Sequence, residues 1–304
     1  MLHPRAFKVT VVWTLVLLYL GSVVHATESS LACPDWPTCF GTFAPEMTGG
    51  VFWEHLHRLV AGGLVLMFGL ATWLVKKEAS ARPWLFKACL AGIALLLIQS
   101  VVGGLTVLYQ LPDMVSTTHL GLAFLFLVLA TVLAAATSAT ASTISRGDAP
   151  NAQFGTGAST RLTGLAALAA GLVFFQSVLG ALVRHTDGGM ACPDLPLCLG
   201  QVLPPLINIQ ITSHLFHRLL AIVTALLVIG IVTWAHRVEV PKVVRKWLVA
   251  AGVLVVLQVA LGVAAVLMTL AVAPVSLHTL GAAGLVSILA WVSTLSSISE
   301  QDIA

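Results

Sequence analysis

Residues 21–39, GSVVHATESSLACPDWPTC, and residues 180–198, GALVRHTDGGMACPDLPLC, are one passage written twice, about 159 positions apart. The match runs on. Glu54-His-Leu-His-Arg58 answers His214-Leu-Phe-His-Arg218 with one residue inserted, Gln99 and Gly103 answer Gln258 and Gly262, and His119 answers His278. A chain of 304 residues that repeats over so long an offset reads as two copies of one folding unit.

The composition says what kind of unit. Hydrophobic residues make up 58% of the chain, charged residues 9%, and the mean hydropathy is +0.99. Soluble domains carry about 25% charged residues, so a soluble globular fold is excluded. Long apolar runs bounded by charges and turn formers fall at roughly 9–26, 51–75, 84–109, 115–140, 161–184, 210–235, 246–271 and 274–297. Each run is continuous and long enough to cross a bilayer as a helix, which satisfies its own backbone hydrogen bonds there; a membrane β-barrel would need short alternating segments instead. The expected fold is therefore an all-α polytopic membrane protein with eight transmembrane helices. An even number of spans per copy makes the duplication a parallel repeat: two tandem, pseudo-two-fold-related four-helix bundles. The N-terminal bundle takes residues 1–140, a Ser-, Thr-, Ala- and Gly-rich linker 141–160, and the C-terminal bundle 161–304.

The scarce charges orient the helices. Of the 15 Lys and Arg residues, twelve sit on one side of this scheme: Arg5, Lys8, Lys76, Lys77, Arg82, Lys87, Arg146, Arg161, Arg237, Lys242, Arg245 and Lys246. The positive-inside rule then places both termini in the cytoplasm. The first run follows basic residues, as a signal peptide would, but it lacks a small-residue cleavage site and its counterpart is an internal helix, so it is read as a retained span. No transit peptide precedes it, which points to a bacterial cytoplasmic (inner) membrane. Membrane lipid is the expected surroundings, and no nucleic-acid partner is expected.

Histidines carry the chemistry. His57 and His119 in the first copy, and His217 and His278 in the second, enter their helices from the outer face and reach similar depth. Two imidazoles facing each other inside a four-helix bundle suit axial ligation of haem iron. A single buried histidine could equally bond a neighbouring helix, but four at repeated positions in a membrane favour ligation; zinc lacks a third ligand. Arg58 and Arg218, directly after two of these histidines, could meet haem propionates or could snorkel to the surface. His25 and His185, at the mouths of helices 1 and 5, are expected in surface or capping roles, His3 and His236 in solvent, and His55 turned away from His57.

The copies differ where it matters. Glu54 stands three residues before His57, so both share a helix face, whereas the second copy has His214 there. Glu54 could merely complement the helix dipole; alternatively it is a carboxylate beside one haem and not the other, which a reaction centre needs and an electron carrier does not. Cys33 and Cys39, like Cys192 and Cys198, flank a Pro-Asp-x-Pro turn in an outer loop. Two local disulfides are the favoured reading in an oxidising compartment, with redox exchange as the alternative, chiefly for the first pair. Cys89, alone in a helix, reads as a packing residue.

Taken together, the eight spans, the Glu-x-x-His-Arg of 54–58, the histidines opening helices 4 and 8, and Cys-Pro-Asp-Trp-Pro-x-Cys at 33–39 resemble the haem A synthase family over nearly the whole chain. The resemblance implies an oxidoreductase that converts the C8 methyl of haem O to a formyl group by successive hydroxylations and loss of water, giving haem A for cytochrome oxidase. It implies that His57 and His119 hold substrate haem O, that Glu54 is the essential acid, and that His217 and His278 ligate a resident haem b. At the outer end of helix 1 the family commonly has Arg, as Arg184 does in the second copy, where this chain has His25. Expected partners are haem O synthase and an electron donor, and exposed apolar helix faces allow a homo-oligomer. Two competing readings are a quinol-linked di-haem b electron-transfer protein without substrate chemistry, and a haem carrier. Neither gives the copies a reason to differ at Glu54 and His214.

Overall fold

A computed structural model describes residues 3–77, 79–138 and 156–298. Among these residues the chain is helical, without strands, and has eight helices long and apolar enough to cross a membrane. They are α1 (His3–Ala26), α2 (Gly49–Lys76), α3 (Pro83–Leu108), α4 (Asp113–Ala136), α5 (Thr156–His185), α6 (Ile209–Arg237), α7 (Lys242–Leu267) and α8 (Val272–Ser297). A single 3₁₀ turn, Gly188–Met190, follows α5. Several helices start earlier than the apolar runs, because a helix satisfies its own backbone and Arg5 or Lys8 can extend a charged tip from its first turns. Of the expected linker 141–160, residues 141–155 lie outside the described residues and α5 already begins at Thr156.

Local chemistry sets the helix ends. Pro83 occupies the first turn of α3, where its missing N–H costs nothing. Asn208 caps α6, its side-chain oxygen accepting the Ile211 N–H at 2.9 Å. The duplication extends to the backbone. Left-handed conformations recur at Glu28 and Asp187, at Phe40 and Leu199, at Gln110 and Thr269, and at Leu111 and Leu270. Such residues are uncommon outside glycine, so their recurrence at matched positions means that both copies build the same turns.

Helix neighbours close two rings: α1–α2–α3–α4 back to α1, and α5–α6–α7–α8 back to α5. Between the rings, α1 meets α8, α4 meets α5, and α4 meets α8. Small side chains allow this approach in the absence of a hydrophobic driving force; Ala166, Ala169 and Ala170 of α5 and Ala283 of α8 are buried there. Hydroxyls cross the seam, Ser22 to Thr279 at 3.2 Å and Thr131 to Ser287 at 3.3 Å. The end of the first ring nearer the start of α1 is packed by aromatics, with Phe68 and Phe126 edge-to-face at 5.1 Å and Phe7 beside them. The outward apolar side chains, Leu66, Leu226 and Leu267 among them, are exposed, as lipid-facing surface should be.

Candidate paired-histidine sites

The four repeated histidines stand on α2, α4, α6 and α8, at opposite corners of their rings. Each ring lies over a glycine of the preceding helix. A Cβ added at Gly21, Gly103, Gly180 or Gly262 would come within 3.0, 2.7, 2.8 or 3.4 Å of Cε1 of His57, His119, His217 or His278. Gly103 and Gly180, and more narrowly Gly21, are therefore seats that only a bare backbone provides, while at Gly262 an added carbon would sit in ordinary contact. In all four histidines Nδ1 is buried without a hydrogen-bond partner. His217 and His278 have ring centres 6.4 Å apart, and His57 and His119 hold the matching positions of the first ring. Two metal–imidazole bonds of about 2 Å each, together with the ring radii, span a separation of that size. Paired neutral nitrogen donors in apolar surroundings, cradled by glycine, fit a haem iron with two axial imidazoles.

Glutamines accompany these seats one helical turn away. Gln99 donates to the His119 carbonyl at 2.9 Å and Gln176 to the His217 carbonyl at 2.8 Å. Each amide also lies 3.5 Å from the Nε2 of the same histidine. Sequence reasoning passed over Gln176, although its signal was present: Gln-x-x-x-Gly occurs at 99–103, 176–180 and 258–262.

Outside the histidines, each ring is roofed by its disulfide loop. Cys33 is bonded to Cys39 and Cys192 to Cys198, with Cα–Cα separations of 4.8 and 4.5 Å. Sequence analysis left Arg58 and Arg218 between haem propionates and the surface; the structure puts their terminal nitrogens on loop carbonyls. Arg58 donates to Asp35 at 2.7 Å and Thr38 at 2.5 Å; Arg218 donates to Asp194 and Leu197, both at 2.8 Å, and to Cys192. An arginine fork one residue past the candidate ligand thus pins the loop to the ligand helix. Arg58→Ala should loosen the first loop, seen as faster opening of Cys33–Cys39 by a phosphine reductant; an unchanged rate would refute the clamp.

Glu54 shares the His57 face and is 4% exposed. Its Oε2 accepts the Cys33 N–H at 2.7 Å and its Oε1 accepts Arg58 at 2.5 Å. The same position in the other copy behaves differently: His214 Nδ1 meets the Gly188 carbonyl at 2.8 Å. The first loop also sends Trp36 onto α3, where a Cβ at Gly104, next to the seat of His119, would be 2.6 Å from the indole. Within this loop Asp35 gathers the Thr38 hydroxyl and the Phe40 and Gly41 N–H groups. Those donors, the Thr38 hydroxyl foremost, hold its carboxyl below the ordinary 3.8. A lowered acid contributes stability above its unfolded value and loses it as pH falls through its folded value. Reduction of Cys33–Cys39 by a phosphine should therefore accelerate only below pH 3.8; a rate that rises well above that pH would refute the role.

Other histidines lie as follows. His55 is buried near the first disulfide, its Nε2 3.1 Å from the Phe43 carbonyl, and does not join His57. His25 and His185 are half-buried and stack at 5.0 Å across the seam rather than lying at the surface. Arg184 bonds His25 at 3.2 Å and Thr117 bonds His185 at 3.0 Å. His3, expected in solvent, is buried against Phe7. Cys89 is a buried free thiol, as expected.

An eight-span membrane protein with a duplicated, asymmetric pair of histidine sites is thus defined. Residues 5–290 match the family model of the cytochrome oxidase assembly protein COX15-CtaA, and the chain belongs to that family. It is 31% identical over 259 residues to a protein of Symbiobacterium thermophilum named heme A synthase, covering 83% of this chain and 81% of that one. Proteins of the same name from Shouchella clausii and Lysinibacillus sphaericus are each 30% identical, covering 86% and 92% of both chains respectively.

Proposed function

We propose that this chain is a haem A synthase, an oxidoreductase that converts the C8 methyl of haem O to the formyl group of haem A for cytochrome oxidase. The observation that carries the reading is the asymmetry of a duplicated site: two seated histidine pairs, with a buried carboxylate beside one and an imidazole beside the other. A protein that only moved electrons would leave that difference without a role.

In this reading residues 1–140 and 156–304 form two four-helix bundles joined by a cytoplasmic linker that ends before α5, in a bacterial cytoplasmic membrane with both termini inside. His57 and His119 hold substrate haem O, and His217 and His278 hold resident haem b. Haem b, when bound, relays electrons from a donor to the substrate half. Glu54 is a fixed acceptor for a proton released near the substrate, held in place by the Cys33 N–H and Arg58. The Cys33–Cys39 loop, with Trp36 on Gly104, covers that half and limits entry of water. Any propionate contact from Arg58 or Arg218 uses donors left over from the loop carbonyls. Haem O synthase supplies the substrate.

The test is pigment analysis. Expressed with a source of haem O, the protein should yield extractable haem A together with haem b. Haem b alone, with haem O available, would sink the reading.

A further inference from the structure

The end of the molecule that carries the two disulfide loops is apolar where it meets its surroundings. Phe40 and Leu199, Phe43 and Val202, and Met47 and Leu206 hold matched positions in the two copies, and all six are exposed. Phe43 is 72% and Val202 71% exposed, and Leu203 and Ile207 beyond them reach 70% and 78%. Phe40 and Leu199 both have left-handed backbone, at φ 53°, just ahead of Gly41 and Gly200, so each copy makes the same turn to point an apolar side chain outward. Charges are missing where these groups collect. Residues 199–212 contain no Asp, Glu, Lys, Arg or His, and residues 40–53 contain Glu46 alone. By contrast the α6–α7 connection at the other end carries Arg237, Glu239, Lys242, Arg245 and Lys246 within residues 237–246, as a segment in water should. An exposed apolar patch of this extent marks a surface that meets either a membrane or another protein.

The two copies choose between these. Phe40 gives way to Leu199 and Phe43 to Val202, aromatic to aliphatic, while exposure is kept. A protein partner matches shape and would hold the outline of the patch; lipid asks only that the surface be apolar. The patch also continues along the chain into exposed apolar side chains of the spanning helices, Phe52 on α2 and Ile209 and Phe216 on α6. We propose that both stretches lie in the bilayer, in the head-group layer at that end, with these side chains turned into the boundary of the acyl chains. The backbone sets the depth. In hydrocarbon every N–H and C=O needs a partner within the protein. Pro45, Pro204 and Pro205 have no N–H to satisfy, and Asp35 and Asp194 accept the N–H groups of Gly41 and Gly200. The other loop backbone groups hold the loops at the level where head groups and water still serve them, as in an interfacial segment. The rims of both histidine rings are then set in lipid, and an apolar molecule dissolved in that leaflet meets them without crossing water.

The experiment uses the full-length protein in lipid nanodiscs, one copy per disc, on a Cys89→Ala background whose other cysteines are disulfide-bonded. A nitrobenzoxadiazole fluorophore is attached to a cysteine introduced as Phe43→Cys or Ile207→Cys. Ile222→Cys, exposed on the middle of α6, is the hydrocarbon reference, and Glu239→Cys, exposed between α6 and α7, is the aqueous one. Phosphatidylcholine with a nitroxide near its glycerol should quench the two loop labels severalfold more than phosphatidylcholine with a nitroxide at the chain end. Iodide in the buffer should quench them severalfold less than it quenches the Glu239→Cys label, and Ile222→Cys should reverse the order of the two lipids. Iodide quenching equal to that of Glu239→Cys, with neither lipid effective, puts the loops in water and overturns the proposal. A loop label screened from iodide and from both lipids is covered by protein, which overturns it as well. The outcome does not depend on what the histidines hold.

Discussion

Glu54→Ala should abolish haem A formation while both haems are still taken up. The expected fall is at least about a hundredfold, the usual lower end for removing a positioned acid–base group. The geometry explains why binding survives: Arg58 keeps its bonds to the Asp35 and Thr38 carbonyls without the carboxylate, and His57 keeps its seat on Gly21. Glu54→Gln separates two contributions. It can still accept the Cys33 N–H, so the loop should stay closed to the phosphine reductant, but it brings no charge, and activity should stay low. Restored activity in the glutamine variant would mean that Glu54 only holds the loop.

Gly180→Val should empty the C-terminal site. Its first added carbon already lies 2.8 Å from His217 Cε1, with backbone on one side and a ring that cannot bend. Overpacking of this kind costs about 1–3 kcal/mol, which is roughly five- to 150-fold in the population of the correctly seated ring. The absorbance of haem b per protein should fall accordingly. Gly171→Val, on the same helix with nothing within 4 Å of its added carbon, should leave it unchanged. Gly262→Ala, where the contact is 3.4 Å, should lose much less than Gly103→Ala, where it is 2.7 Å. Equal losses at all of these positions would show that the glycines serve helix packing in general and not the histidines.

These arguments show where the sequence was readable and where it was not. Spans and duplication follow from runs of apolar residues and from matched motifs, which are one-dimensional quantities, and all eight helices lie where those runs placed them. The histidines were visible for the same reason. Where Arg58 reaches was not, because a guanidinium on a long stem can reach several acceptors, and the loop carbonyls of Asp35 and Thr38 become acceptors only once the loop has folded over α2. The engagement of Glu54 with Cys33 is hidden for that reason too. Gln176 shows a third limit: three Gln-x-x-x-Gly strings are plain in the sequence, but their partner depends on which helix lies alongside and how far it is rotated. His25 and His185 were expected in surface or capping roles because each ends an apolar run; only the packing of the two rings against each other through α1–α8 and α4–α5 brings the ends of α1 and α5 close enough for these side chains to stack.

The seam has an evolutionary meaning. Exchanging the two copies turns the contact of α1 with α8 into that of α5 with α4, and maps the contact of α4 with α8 onto itself. That is the signature of an isologous interface, the kind found between identical subunits, and it is what fusion of a symmetric homodimer leaves behind. In such an ancestor one gene wrote both pockets, so a glutamate gained beside one histidine was gained beside both. Fusion removed that constraint, and the pockets could then diverge independently, as Glu54 has from His214.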